Sequence, residues 1–406
     1  MMNRRYWYVF IAMCCMVSAS VGTCMNIGGI FYTPIAETLG TGIGAVTLSM
    51  SILSVVTNFT GMNVRHLLRR FSFKQVLFLS LVLLVSSTVL NAFCTNLFVL
   101  YVLCAVRGVG VGLSNFVMAT LLINNWYRKN HGTFTSFVMM FSGIPGLFLS
   151  PLFSRWITLY GWQTTYILVA GIIILLDLPA LLLPYTFTPE ESGMKPYGAE
   201  EYEEFLKEKP SHSISDTPDD FRYLSRPFLT AALYTVLACV AAQLPQHLPG
   251  LAISRGFSAG QGALMLSFSM AGSVIIKIFF GTFADRFGNS RAIGLTALIS
   301  ALAILPLLFG HSFIFMEAAA FFYTFTGANS SVGIALIVTD MMGPQNYGKA
   351  YPLITFIGSM VGAFSGTMFG LLYDLAGTYT PTMVITCILQ LLIVVVVFLG
   401  YRKQKA

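Results

Sequence analysis

The chain has 406 residues, of which 56% are apolar and only 10% charged, with a mean hydropathy of +0.76. Soluble domains carry about 25% charged residues, so a soluble enzyme and a nucleic-acid-binding protein are both excluded, despite a net charge of +7. Lipid offers the backbone no water to bond, which leaves helical bundles or closed barrels, and long continuous apolar runs select helices.

In chain order, the apolar run that follows Arg4 and Arg5 reaches about Phe31. That is too long for a secretory leader, and it predicts the first membrane span. Eleven more follow, giving twelve at 7–33, 43–62, 75–95, 98–124, 133–157, 163–185, 228–252, 261–283, 291–309, 313–339, 350–373 and 380–400. The stretch 186–226 differs in kind, holding most of the 16 acidic residues together with Pro189, Pro196, Pro210 and Pro218. The pattern predicts an all-α membrane protein with an N-terminal six-helix half at 1–185, a polar linker at 186–226 and a C-terminal half at 227–406. The seven cysteines all lie in or beside apolar runs without metal-ligand spacing. They read as small buried hydrophobes, and no metal or cofactor is expected.

Basic residues fall in alternate loops: Arg4 and Arg5, then Arg65, Arg69, Arg70 and Lys74, then Arg128 and Lys129, and later Arg286, Arg291, Lys349, Arg402, Lys403 and Lys405. Positively charged loops stay in the cytoplasm, so both termini and the linker are expected inside a cell membrane crossed many times. The +7 is a topology signal. The two halves are also related by a gap-free offset of 216 residues, which superimposes Gly40 on Gly256, Gly44 on Gly260, Gly132 on Gly348, Gly146 on Gly362 and Gly161 on Gly377. An internal repeat of this size is how many membrane folds are built.

Six motifs carry a family resemblance. Gly281-Thr-Phe-Ala-Asp285-Arg286-Phe-Gly288-Asn-Ser-Arg291 lies between spans 8 and 9. It resembles the Gly-x-x-x-Asp-Arg-x-Gly-x-x-Arg loop of the major facilitator superfamily. Span 4 carries Arg107-Gly-Val-Gly110-Val-Gly112, similar to that family's Arg-x-x-Gly-x-Gly. Asn125-Trp126-Tyr127-Arg128-Lys129, Gly161-Trp162-Gln163, Gly193-x-x-Pro196-Tyr197-Gly198 and Asn346-Tyr347-Gly348 resemble the group of monocarboxylate transporters and oxalate:formate antiporters. The resemblance implies twelve helices in two pseudo-symmetric halves and transport of a small organic anion by alternating access, coupled to a proton or to exchange. It also implies a gating role for Gly281, Asp285, Arg286, Gly288 and Arg291. The first-half copy departs from the loop pattern, with Arg65, Arg69 and Ser72 at the equivalent positions.

Ionisable groups inside spans are expensive and so are functional candidates. Lys277 lies eight residues before Asp285, roughly 12 Å inside the bilayer. In the carboxylate carriers of the resembled group an Arg stands four residues before the same glycine, here Gly281. Lys277 is therefore expected to pair with a substrate carboxylate, with a snorkelling lysine or an internal ion pair as the bland readings. Arg107 is open between a second anion contact, a proton-coupling element and a structural arginine. Gln243 and His247 share a helix face in span 7, where Pro245 and Pro249 interrupt the helix. Asp177, Glu317 and His247 are the proton-coupling candidates. Asn26, Tyr32, Asn58, Asn115, Tyr323 and Asn329 complete the expected polar lining. The second cation of the oxalate carriers falls on Ile354 here, which favours a monoanion. The whole reads as a monomeric transporter with the lipid bilayer as its surroundings and no nucleic-acid partner. Proton-driven efflux of hydrophobic or cationic compounds is the alternative, distinguished by an apolar aromatic cavity with a buried acid in place of a positive polar one.

Overall fold

Among the described residues of the computed structural model, which are 4–129, 131–199, 222–223, 225–310 and 312–404, eleven helical stretches are long and apolar enough to cross a bilayer. They are Arg4–Leu39, Ile43–Leu67, Phe73–Asn91, Leu97–Trp126, Gly132–Leu182, Arg226–Ser254, Ala259–Phe287, Asn289–Phe309, Phe313–Gly343, Gln345–Ala376 and Thr380–Tyr401. The fifth, at 51 residues, would run to about 77 Å at 1.5 Å per residue, far beyond a bilayer core of about 30 Å. It is two spans, because Gly161 adopts φ 81° and ψ 162°, outside the helical region. Twelve spans result, numbered 1 to 12 in chain order. Their even number brings both ends of the chain to one side. Span 1 packs against span 7, span 2 against span 11 and span 5 against span 8, so each half presents the same faces to the other.

The repeat has a conformational meaning. Gly40 and Gly256, which end spans 1 and 7, have φ of 64° and 82°, and Gly161 and Gly377, which separate spans 5 and 6 and spans 11 and 12, have 81° and 68°. Only glycine takes such angles without strain, so these pairs mark the same two turns in each half. Where the pattern fails, another device replaces it. Gly288 opens the turn into span 9 at φ 87°, whereas its mate Ser72 stays extended and caps span 3 instead. Ser72 Oγ accepts from the Gln75 amide while Gln75 Oε1 accepts from the Ser72 amide. Lys74, next in that turn, donates to the Ala180, Leu181 and Leu183 carbonyls at 2.8, 3.0 and 3.1 Å, closing the C-terminus of span 6.

Seven spans are continuous helices. Spans 1, 4, 5, 7 and 10 are not: span 5 opens into a turn at 141–143 between His131–Met140 and the helix that restarts at Ile144, and the other four break near their middles. Span 1 passes from α-helix into a wide π-turn at Ser18–Thr23, unwinds, and resumes through a tight turn at Gly28–Phe31. In span 4 the helix stops at Leu113 and restarts at Phe116, with the Asn115 side chain capping the new start through the Val117 amide at 2.9 Å. Span 7 leaves helical geometry after Ala241 and turns through Leu244–His247. Span 10 is interrupted after Tyr323 and again by a π-turn at Asn329–Gly333. Irregular backbone at membrane depth survives only where protein or a water-filled cavity satisfies it. Lipid faces carry side chains such as Phe98, Phe309 and Leu375, which are 74%, 75% and 86% exposed.

The described part of the 186–226 stretch is not a free tether. Residues 186–199 lie against the N-terminal half on the side of the termini. Tyr197 pairs with the segment after span 4: its amide donates to the Trp126 carbonyl at 2.8 Å, and its carbonyl accepts from the Arg128 and Lys129 amides at 2.9 and 3.1 Å. Trp126 Nε1 donates to the Thr186 carbonyl at 3.1 Å, and the Tyr6 hydroxyl donates to the Lys195 carbonyl at 2.7 Å. The rings of Tyr6, Trp126, Tyr127 and Tyr197 pack together around these bonds. Two of the motifs quoted above are thus the two sides of one clasp. Gly198 sits at φ 76° against the Lys129 backbone. Gly198→Val is expected to cost about 1–3 kcal/mol, read as a lower melting temperature and faster protease cleavage within 186–199. An unchanged cleavage rate would show that the clasp holds nothing. Residues 200–221 and 224, the rest of the expected linker, lie outside the described residues.

Candidate functional site

Broken spans 1, 4, 7 and 10 converge on a cavity of about 380 Å³ between the halves. Asn26 comes from span 1, Asn115 from span 4, Gln243 and Gln246 from span 7, and Thr324, Thr326, Ser330 and Ser331 from span 10; spans 2 and 8 add Asn58, Ser273 and Lys277. An adjoining chamber of about 140 Å³ shares Asn26, Gln243 and Gln246 and reaches Tyr32 and Thr47. Lys277 is the one charged residue in either lining, and Phe116 is the one aromatic ring in the larger cavity.

Four donor groups in the larger cavity are unspent, the Lys277 ammonium and the amides of Asn58, Asn115 and Gln243. Among the described residues, the Lys277 ammonium and the side-chain amides of Asn58 and Gln243 make no hydrogen bond or ion pair. Asn115 uses only its oxygen. Gln246 is different. Its Nε2 donates to the Asn26 carbonyl at 3.0 Å and its Oε1 accepts from the Gly29 amide at 3.0 Å, so it stitches span 7 to the unwound part of span 1. Gly29 leaves no room for a Cβ against the Gln246 backbone. Asn26 in turn donates to the Ser142 carbonyl on span 5 at 2.8 Å.

A second stitch closes the end opposite the termini. Asp374, at the end of span 11, accepts from the Ile43 and Gly44 amides at 2.9 and 2.7 Å, placing a carboxylate on the N-terminus of span 2. That is the favoured polarity for a helix N-terminus. Gly44 and Gly370 let the two helices meet there, since a Cβ on either would press on the other helix.

Of the residues singled out from the sequence, Lys277, Asn26, Asn58, Asn115 and Gln243 meet in the cavity. The others lie elsewhere. His247 is buried among Tyr32, Phe369 and Tyr379, with Nε2 3.0 Å from the Gly366 carbonyl. The Tyr323 hydroxyl donates to the Ala241 carbonyl at 2.5 Å, and Asn329 Oδ1 accepts from Thr296 at 2.9 Å; both side chains are fully buried. Each of these holds an irregular stretch of span 7 or 10 in place. Arg107 and Tyr32 face a separate small chamber within the N-terminal half, and Tyr32 also lines the adjoining 140 Å³ chamber. Asp177 is buried on span 6 with neither carboxylate oxygen bonded, and Glu317 is half-buried near the start of span 10.

Asp285, Arg286 and Arg291 are exposed at the end of the molecule that carries the termini. There Asn289 Nδ2 and the Tyr401 hydroxyl both donate to Asp340 Oδ2, at 2.8 and 2.5 Å, so span 10 is tied to spans 9 and 12 through Asp340. Ile354 is fully buried in the core of the C-terminal half. Ser273, Thr324, Thr326, Ser330 and Ser331 were not foreseen as lining. One signal points to the last of them, since Ser331 is the repeat mate of Asn115 at the 216-residue offset.

A two-half bundle whose broken helices surround a polar central cavity defines a multi-pass membrane transporter. The family model for the Major Facilitator Superfamily matches residues 9–270 and 247–406, and the chain belongs to that superfamily. Monocarboxylate transporter 12-B of Danio rerio is 24% identical over 318 residues, 72% of this chain and 66% of that protein, just under two thirds. The uncharacterized MFS-type transporter YcxA of Bacillus subtilis (strain 168) is 23% identical over 188 residues, 46% of each chain. Among solved structures, a bacterial homolog of the human lysosomal transporter Spinster, inward-facing and occupied, superimposes with a TM-score of 0.71 at 14% identity, covering 99% of this chain and 98% of the other. A mutant of the nucleoside transporter NupG also gives 0.71, at 12% identity over 96% and 100%. At such identities the likeness is one of fold.

Proposed function

We propose that the protein carries a small organic monoanion, of the monocarboxylate class, through this cavity by alternating access. The observation that carries the reading is the cavity itself: one unpaired ammonium, the unspent amides of Asn58, Asn115 and Gln243, no acid and a single aromatic side chain among the described lining residues. A desolvated carboxylate needs such a site, since charge-assisted hydrogen bonds are the strong ones. A hydrophobic cation would find an uncompensated positive charge. Burial of Ile354 in place of a second cation favours one carboxylate over two, and the likeness to a monocarboxylate transporter supports the same class.

The stitches at Asp374 and Gln246 lie on the far side of the cavity from the termini. With the basic loops in the cytoplasm, this is the inward-facing state of a protein in the cell membrane with both termini inside. Halves at 1–185 and 227–406 would rock about the linker at 186–226, driven by a proton or by exchange. Of the three proton-coupling candidates, Asp177 is the carboxylate that is fully buried with neither oxygen bonded among the described residues.

The test is thermal stabilisation of the purified protein by small monocarboxylates, dicarboxylates and cationic drugs. A ligand at 100 times its dissociation constant stabilises the folded state by about 2.7 kcal/mol. Saturable stabilisation by a monocarboxylate, with uptake of the same compound into proteoliposomes, is expected. Stabilisation by hydrophobic cations alone would overturn the reading in favour of efflux.

A further inference from the structure

Arg107 is 4% exposed, and its Nε and Nη2 atoms are buried without a partner among the described residues. A guanidinium does not lose its proton inside a protein, so a buried one needs an opposite charge. No carboxylate supplies it here. Asp177 lies on the face of span 6 that carries Tyr166, but eleven residues further on, roughly 16 Å along the helix, and its own oxygens are unbonded.

The guanidinium instead faces a chamber enclosed by spans 1, 2, 3, 4 and 6, of about 30 Å³. That is room for roughly two water-sized bodies and none for a carboxylate with a carbon chain. The donors around it are the Tyr32 and Tyr166 phenols and the weaker Cys24 and Cys104 thiols. The Tyr166 ring lies 5.3 Å from the guanidinium carbon, and the Tyr32 hydroxyl, also in the lining, makes no hydrogen bond among the described residues. The hydroxyls of Thr23, Ser49 and Thr88 give their protons to the Ser18, Val46 and Leu84 carbonyls at 3.0, 2.6 and 2.6 Å, so they add no competing donor. Neither Asp nor Glu lines the chamber.

We propose that this chamber holds one halide-sized inorganic anion, chloride in a cell, bound by Arg107 with the Tyr32 and Tyr166 phenols. The ion neutralises the guanidinium and ties span 4 to spans 1 and 6. It is separate from the transported solute, and the inference stands whether or not the reading of the central cavity does. Tyr32 and Met50 also line the 140 Å³ chamber, which gives the ion a route in.

The experiment titrates chloride against gluconate at constant ionic strength and follows the melting temperature of the purified full-length protein, gluconate being too large for the chamber. A saturable, chloride-specific rise is expected. Arg107→Gln should abolish it, Tyr32→Phe should raise the half-saturating chloride concentration about tenfold through loss of one charge-assisted hydrogen bond, and Lys277→Ala should leave it unchanged. If Arg107→Gln does not fold, the Tyr32→Phe shift carries the test. No chloride-specific rise in the natural protein would overturn the proposal, as would an unchanged half-saturation in Tyr32→Phe. So would a response lost in Lys277→Ala, which would place the ion in the central cavity.

Discussion

Lys277→Ala is expected to abolish stabilisation by the transported anion and to reduce its transport below detection while leaving the empty protein at least as stable. The ammonium has no partner among the described residues, so its removal breaks nothing in the unliganded fold and relieves the burial of an uncompensated charge. Truncating one member of a buried hydrogen-bonded charge pair costs about 2–5 kcal/mol, which would take affinity out of the working range. Lys277→Arg should retain part of it. Thermal shift with and without ligand, together with counterflow in proteoliposomes, separates the two effects. A variant that melts earlier but still responds to the anion would make Lys277 a structural residue.

Asp374→Ala should shift the protein toward a form open on the side opposite the termini. The carboxylate accepts two amides from the first turn of span 2, and in an alternating-access cycle that bond exists only while this end is closed. Hydrogen bonds to charged groups are worth about 1.5–3 kcal/mol, or roughly 10- to 150-fold in the balance between the two forms. Thr47 lines the chamber just beneath the closure and is 1% exposed. Its replacement by cysteine gives a reporter whose labelling by a membrane-impermeant thiol reagent should rise when Asp374→Ala is added. Equal labelling in both backgrounds would show that Asp374 is not a latch.

The twelve crossings were legible in the sequence because lipid tolerates so little: an apolar run of some twenty residues has few other fates. The turn between spans 5 and 6 was legible for a similar reason, as Gly161 and its mate Gly377 both need φ beyond the reach of other residues. Lys277 stood out because an ammonium inside a span demands an explanation. The breaks were harder. Pro245 and Pro249 announced the one in span 7, but span 4 stops at Leu113 without a proline, and span 10 widens at Asn329–Gly333 through the bonds that Tyr234 and Thr296 make to Asn329. Those partners come from spans 7 and 9, and sequence periodicity along span 10 carries no trace of them. The same holds for Arg107, whose neighbours Tyr32 and Tyr166 are far away along the chain. The clasp was half visible: both of its motifs were recognised as family marks, yet nothing in either showed that Tyr197 would pair with Trp126.

Gathering most of the polar lining on spans 1, 4, 7 and 10, with Asn58 and Lys277 added from spans 2 and 8, separates two selective pressures on one chain. The lipid-facing sides of the helices answer mainly to the membrane, where one apolar side chain serves about as well as another. The cavity-facing positions answer to the solute. Substitutions at positions such as Asn26, Asn115, Gln243 and Ser331 can therefore remake the cargo without disturbing how the molecule inserts, and drift across the lipid face can proceed without touching what is carried. Chains built this way are able to diverge to low identity, as this one has from its structural neighbours, while keeping a common shape and exchanging one freight for another.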